Sequence, residues 1–362
     1  MTDSTDDFGK AITAALADLC PMTEVRRLMT DPLGHNPAVW RRLAREIGIP
    51  GLAVPEEYGG SGGALEDLAV VFEAAGSALA CLPLFATCAL AAPLLVAVAD
   101  EEAKKHWLPR LSSGENTATV AFAAFRGAAG TAPRAVRDDD GWRLTGTYPH
   151  VVDGAGADLL LAIADTDAGP GVFVLEGEGT RRTPLAGLDL TRRLARVTAD
   201  RARATPVAEP GEQARPSLEA AWDAATALLT AEQVGGAQHC LDMTAEHART
   251  RIQFARPIGS FQAVKQRLAD MLIKVELARS AAGQAVRAAS GGDVRERALA
   301  VSVAKSFCSD AYAQVTGATI QLHGGLGFTW EHDAHLYYKR ALSSREILGT
   351  PALHDDRVAE LL

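Results

Sequence analysis

The cysteines are the first place to look for chemistry in this chain, and they offer little. Cys20, Cys81, Cys88, Cys240 and Cys308 are odd in number, scattered and without paired metal spacing. That is the pattern of buried, reduced thiols in an intracellular protein, and no metal site is expected. Two strings stand out instead by their residue types: RIQFARPIGSFQ, from Arg251 to Gln262, and QLHGGLGF, from Gln321 to Phe328. Taken singly, Arg251 reads as a solvated charge at a helix end and Gly324-Gly325 as a turn.

The elements that must position these strings follow from periodicity. Up to about residue 115 the chain is helical and amphipathic. After Asn36-Pro37, the positions Val39, Leu43 and Ile47 recur at spacing four with arginines on the other face, and Leu65, Leu68, Val71 and Phe72 share a helical stripe. A shorter helix is expected over Glu101–Leu108, with Pro109 at its end. From residue 117 short β-rich runs take over, TATVAFAAF, WRLTGTY, ADLLLAIA and GVFVLE, separated by polar turns. From Pro216 onward, long blocks with helical period predict helices that pack on each other as a four-helix bundle. The expected fold class is α+β, with an all-α domain over 1–115, a middle antiparallel β domain over 116–208 and a helical bundle over 209–362.

With 36 Lys and Arg against 45 Asp and Glu, the net charge of −9 and pI near 5.5 give no general attraction for phosphate backbones, so nucleic acid is not an expected partner. A hydrophobic fraction of 48% with 22% charged residues is that of an ordinary globular protein. The uncharged run from Ala74 to Ala99 is long enough to span a bilayer, but Pro83 and Pro93 interrupt it and small residues fill it. Two broken helices buried among others explain it better. The N-terminus MTDSTDDFGK is acidic and polar, unlike a secretory signal or a transit peptide, and a cytoplasmic location is expected.

Together with the order helical, β, helical, the two strings resemble the acyl-CoA dehydrogenase family over essentially the whole chain. The resemblance implies a flavoenzyme that removes two hydrogens from the α and β carbons of an acyl-CoA thioester, usually as a tetramer. It further implies an electron-transferring flavoprotein as acceptor. FAD carries a pyrophosphate, so its site needs cations, hydrogen-bond donors and close backbone approach. By resemblance, Arg251 and Gln253 would touch the pyrophosphate and adenosine of a flavin held mainly by a neighbouring subunit. Phe254 and Gln262 would line the same cleft, while Gln321, Gly324 and Gly325 would approach across the interface. Gly130 and Thr131 could serve a phosphate. Thr350, before Pro351, reads as a helix N-cap and equally as a flavin-phosphate contact.

The departures from the family pattern are as informative. Many members place a glutamate, the α-proton base, twenty residues beyond the Phe of the second motif. Here that position is Leu348, followed by Gly349 and Thr350. Others carry the base 26 residues before the Arg of the first motif, where this chain has Ala225. Neither side chain can accept a proton. Of the nearest carboxylates, Glu232 lies roughly 10 Å along the helix axis from Ala225. Asp223 points elsewhere, about 200° around the helix, and Glu346 would have to swing in from a loop. The flavin-ring side is also altered: Phe125–Thr131 and His150-Val151-Val152 stand where members show a TEPGAGSD-like string and a WIT string. His150 reads as a loop or core histidine ahead of a catalytic one.

The reading that uses this asymmetry is a base-lacking subunit of an actinobacterial-type α2β2 acyl-CoA dehydrogenase. By resemblance, some members, especially those acting on bulky polycyclic or steroid-derived thioesters, form such assemblies with one competent site per pair, and this chain would complete the adenosine side of the shared FAD site. The alternatives are a homotetrameric dehydrogenase with a relocated base at Glu346 or Glu232, a flavin monooxygenase of the same fold, and a flavin-free structural subunit.

Overall fold

The computed structural model describes residues 2–122, 132–291 and 293–362. Six helices come first: α1 (Thr2–Leu19), α2 (Met22–Leu28), α3 (Pro37–Glu46), α4 (Leu65–Ser77), α5 (Ala92–Val98) and α6 (Glu101–Ser112). Seven strands follow: β1 (Ala118–Ala121), β2 (Arg134–Asp138), β3 (Gly141–Val152), β4 (Leu159–Thr166), β5 (Gly169–Leu175), β6 (Thr180–Pro184) and β7 (Leu194–Pro206). Then come α7 (Arg215–Thr250), the hairpin β8 (Ile252–Gln253) and β9 (Arg256–Pro257), α8 (Gln262–Ala289), α9 (Val294–His323), α10 (Gly325–Phe328), α11 (Ala334–Glu346) and α12 (Pro351–Leu361). The α+β order read from the sequence is the order observed. Contacts group these elements into two compact units, one of Arg27–Leu68 and Cys81–Ala225, the other of Met1–Arg26, Ala69–Ala80 and Thr226–Leu362. Among the described residues no helix is long and apolar enough to cross a membrane.

In the unit that holds the strands, α3 shows how sequence sets local structure. The Asn36 side chain accepts from the Ala38 N–H, Pro37 supplies a preset first-turn φ, and Trp40, Leu43 and Ala44 are buried. The apolar stripe therefore runs through Trp40 rather than Val39. Helix α6 continues through Pro109 to Ser112 instead of ending there. Pro109 lies on the exposed side, and the burial of Leu108 and Leu111 holds the helix together past the missing N–H. The uncharged run forms a wholly buried π-helix, Phe85–Ala91, followed directly by α5. The Thr87 hydroxyl exchanges hydrogen bonds with both backbone groups of Ala118, tying the π-helix to β1.

The sheet runs in the order β1-β4-β2-β3-β7-β5, and β4 also pairs with β5, so the strands close on themselves. Pairing is antiparallel except for β1 with β4 and the single Arg134–Asp165 contact of β2 with β4. Inside lie Leu144, Tyr148, Leu160, Phe173 and Val197, with alanines 195, 199, 202 and 204 of β7 pointing inward. Strands β2, β6 and β7 were not apparent from the sequence, because the buried positions of β2 and β7 are mostly alanine between outward arginines, and β6, Thr-Arg-Arg-Thr-Pro, has no apolar alternation at all. Arg193 supports the strand from below by donating to the carbonyls of Leu28, Met29 and Asp31.

In the other unit α9 is the hub, packed against α8, α10, α11 and α12. Small residues allow close approach: Ala278, Ala282 and Ala311 surround Val234 and Cys308. Asp293 caps α9 by accepting from the N–H groups of Arg295 and Glu296. Thr350 caps α12 by accepting from the Leu353 N–H, with Pro351 in the first turn, as the sequence implied.

Candidate functional site

The helix ends that lead into the two strings singled out in the sequence meet in space. Helix α7 ends at Thr250, one turn beyond His247, and α9 ends at His323, immediately before Gly324. The imidazoles of His247 and His323 stack with centroids 4.2 Å apart, and His332 lies against His323 at 4.5 Å. His323 Nδ1 is 2.8 Å from the Thr319 carbonyl, which fixes the ring. This stack joins the helix end that leads into Arg251 to the one that leads into Gly324-Gly325.

Arg251 is exposed, and its guanidinium makes no hydrogen bond or ion pair with the described residues. Gln253 opens a tight hairpin: β8 pairs with β9 through Gln253–Arg256 and Ile252–Pro257. The connecting residues, Phe254 and Ala255, both take left-handed conformations (φ 51° and 61°), which non-glycine residues seldom adopt. The hairpin is braced on one side by Arg256 over the Phe261 ring at 4.1 Å. Phe254 nevertheless remains 87% exposed. Gln262 begins α8, whose N-cap position, Phe261, supplies no capping side chain.

Gln321 is exposed, and Gly324 adopts φ 60°, ψ −138°, a region open to glycine alone. A Cβ placed on either Gly324 or Gly325 would meet nothing within 4 Å. The bareness of Gly325 is therefore not imposed by this chain's own packing. Phe328, just beyond, is 85% exposed. Arg251, Gln253, Gln321 and the glycine pair are thus exposed at or just beyond the two helix ends that the histidine stack joins.

The positions where a base would stand are apolar and buried. Leu348 is 3% exposed and takes φ 60°, with Gly349 next at φ 103°. Its carbonyl lies 2.9 Å from His354 Nε2. Ala225 is fully buried in α7. Glu232 is held by Arg340 in a buried ion pair of 3.0 Å, with side chains 6% and 4% exposed. Glu346 ends α11 rather than lying in a loop, because the α11 pattern continues through Ser344 and Arg345 to the exposed carboxylate. His150 is an exposed residue near the end of β3. Asp223 is buried. Gly130, Thr131 and the rest of 123–131 lie outside the described residues.

Three features escaped the sequence reading. Arg340 follows Lys339 in YYKRA with nothing local to mark it, and its pairing with Glu232 crosses 108 positions. The histidine stack had a faint signal, since His247 precedes Arg251 by one helical turn. Lys305, which the sequence does not set apart from other helical lysines, is fully buried. Burial lowers its pKa to about 7. Burial likewise lowers the pKa values of His247, His323 and His332, and mutual repulsion lowers those of His247 and His332 further.

In chain order, helical segments, then a β unit, then long packed helices make up an α+β architecture. Residues 13–115 match the model of the acyl-CoA dehydrogenase N-terminal domain and residues 219–362 that of the acyl-CoA dehydrogenase C-terminal domain. The chain is 34% identical over 354 residues to acyl-CoA dehydrogenase IpdE2 of Mycolicibacterium smegmatis, covering 97% of this chain and 96% of that protein. It is 34% identical to acyl-CoA dehydrogenase FadE27 of Mycobacterium tuberculosis over 96% and 94% of the two chains. Among solved structures it is similar to the ChsE4-ChsE5 complex of M. tuberculosis, with a TM-score of 0.89, 30% identity and coverage of 99% and 97%. A variant of the Tcur3481-Tcur3483 steroid ACAD gives a TM-score of 0.89, 31% identity and coverage of 99% and 98%. This chain belongs to the acyl-CoA dehydrogenase family, a family of FAD-dependent oxidoreductases.

Proposed function

We propose that this chain is the base-lacking subunit of a heteromeric acyl-CoA dehydrogenase. It would complete the adenosine side of an FAD site shared with a second, homologous chain in an α2β2 assembly. The observation that carries the reading is the contrast between Leu348 and Arg251. The buried Leu348 offers no proton acceptor where the family places one, whereas Arg251 is exposed and unpaired among the described residues. That both Tcur3481-Tcur3483 and ChsE4-ChsE5 are two-chain assemblies supports the partnership, and the word steroid in the former's description supports a bulky, steroid-derived acyl-CoA as substrate.

In this reading Arg251, Gln253 and Gln321 hold the pyrophosphate and adenosine, Gly324 and Gly325 give the dinucleotide room, and Phe254 and Gln262 line the cleft. Bound FAD supplies the acceptor for the β-hydride. Leu348, buried and without a group that accepts a proton, takes no part in proton transfer, so the α-proton base comes from the second chain. Glu232 is a poor replacement because Arg340 already holds it in a buried pair. The altered segment around His150 argues against a self-sufficient flavin-ring pocket, as either a homomeric dehydrogenase or a monooxygenase would need.

The test is the flavin-to-chain ratio and assembly mass of the chain purified alone and then co-expressed with the product of its neighbouring gene. Little flavin alone, rising to about half per total chain in a mixed tetramer, is the expected result. One flavin per chain in a homotetramer that oxidises acyl-CoA would refute the proposal.

A further inference from the structure

Three oxygens surround the buried ammonium of Lys305. Its Nζ donates to Ser309 Oγ at 3.0 Å, to the Ser344 carbonyl at 3.1 Å and to the Arg345 carbonyl at 3.0 Å. The two carbonyls belong to the last turn of α11, where helical carbonyls lack partners of their own and carry the negative end of the helix dipole. Ser309 is held in place by Gln233, whose Nε2 donates to the same Oγ at 3.1 Å. The acceptor count matches the three hydrogens of a charged lysine.

Immediately beyond this turn the chain enters the left-handed conformation of Leu348. From the other side, His354 of α12 reaches the Leu348 carbonyl, and the Thr350 hydroxyl caps α12. A non-glycine residue held at φ 60° persists only where its surroundings over-determine it. Here α9 grips the turn at its start and α12 grips it at its end.

We propose that Lys305 is a positioning residue whose ammonium clamps the C-terminal turn of α11 and thereby holds the Leu348 turn in place, with a grip that weakens when the proton leaves. Deprotonation replaces charge-assisted bonds by weaker neutral ones and removes the attraction between the charge and the helix dipole. The groups facing the ammonium are consistent with a switch near neutral pH. Burial opposes the charge. Glu346 from α11 and Asp310 from α9 favour it, Arg345 from α11 disfavours it, and Cys308 from α9, its own pKa pushed up by burial, faces it as a neutral thiol. Asp310 partly offsets Arg345 through a 3.1 Å ion pair, and α7 contributes the uncharged Gln233. The clamp lies within this chain and does not depend on the heteromeric reading.

Hydrogen exchange of the peptide spanning residues 344–350, corrected for intrinsic rates, tests this on wild type and Lys305→Met at pH 6, 7 and 8. At pH 6 the wild-type turn should exchange about fivefold more slowly than the variant's, the size of one charge–dipole contact. That advantage should shrink by pH 8, while the variant's profile stays flat. Urea unfolding of Lys305→Met should show a lower midpoint, because the Ser309 hydroxyl and the Ser344 and Arg345 carbonyls are left buried without their donor, so exchange at 344–350 is compared with that of the other helices. Equal protection in the two proteins at every pH, or loss of protection spread evenly over the helices, would overturn the proposal. Should the variant fail to accumulate, a flat wild-type profile from pH 6 to 8 would overturn it alone.

Discussion

Gly76 and Gly235 stand in reciprocal positions on two helices. A Cβ on Gly76 would come within 2.0 Å of the Glu232 carbonyl oxygen, and one on Gly235 within 1.8 Å of that of Glu73. The backbones of α4 and α7 therefore touch directly at two points. Arg279 fastens the contact by binding both the Glu73 carboxylate and the Gln238 amide. Gly235→Ala should destabilise the chain by about 2 kcal/mol, as overpacking in a rigid contact does. Urea unfolding reads this directly, and an unchanged midpoint would mean that the helices can part freely.

Glu232 and Arg340 form the second fixture in this region. Removing one partner leaves a buried charge without compensation, so Arg340→Met should cost about 3–5 kcal/mol. The double replacement Glu232→Gln, Arg340→Met should recover most of that loss. Recovery in the double variant, measured by denaturant unfolding, separates this explanation from simple loss of packing.

Arg251 offers the opposite case, a charge with no internal obligation. Arg251→Met should leave the unfolding midpoint of the isolated chain unchanged. Flavin content of the co-purified assembly should fall by about tenfold, the worth of one charge-assisted phosphate contact. Absorbance of bound flavin against protein mass provides the readout. Full flavin occupancy in the variant would remove Arg251 from the site.

The histidine stack sets an acid limit. His247, His323 and His332 have pKa values below the ordinary 6.5, so the folded chain binds fewer protons than the unfolded chain just below that pH. Stability should therefore fall as pH drops from about 6.5 through the folded values. His323→Gln should flatten that slope while barely changing stability at pH 8. Thermal unfolding across pH 5 to 8 in both proteins decides it.

The order of helices and strands was legible in the sequence because long amphipathic blocks and Gly/Asp-bounded runs carry strong periodic signals. The Thr350-Pro351 cap was legible for the same local reason. Strand β7 was not, since its inward alanines carry no β preference and its outward arginines mask the alternation. Glu346 was placed in a loop because a Gly-Thr-Pro string follows it, whereas α11 runs up to it and is held there by Lys305. The absence of a base at residue 348 could be read from residue type alone, but the left-handed backbone that presents Leu348 could not. Partners distant along the chain, such as Arg340 for Glu232 or Asp333 for Arg26, leave no local trace.

Strand pairing in the β unit has a bearing on how the protein behaves at high concentration. With β4 bound on several sides, unpaired ladder groups are confined to short margins. β1 is four wholly buried residues, and the margins at β2 and β6 carry Arg134, Arg137, Asp138, Arg181 and Arg182. Adding a foreign strand there would require desolvating guanidinium and carboxylate groups, a barrier that natural sheets use against edge-to-edge stacking. Self-association by sheet extension is thereby disfavoured.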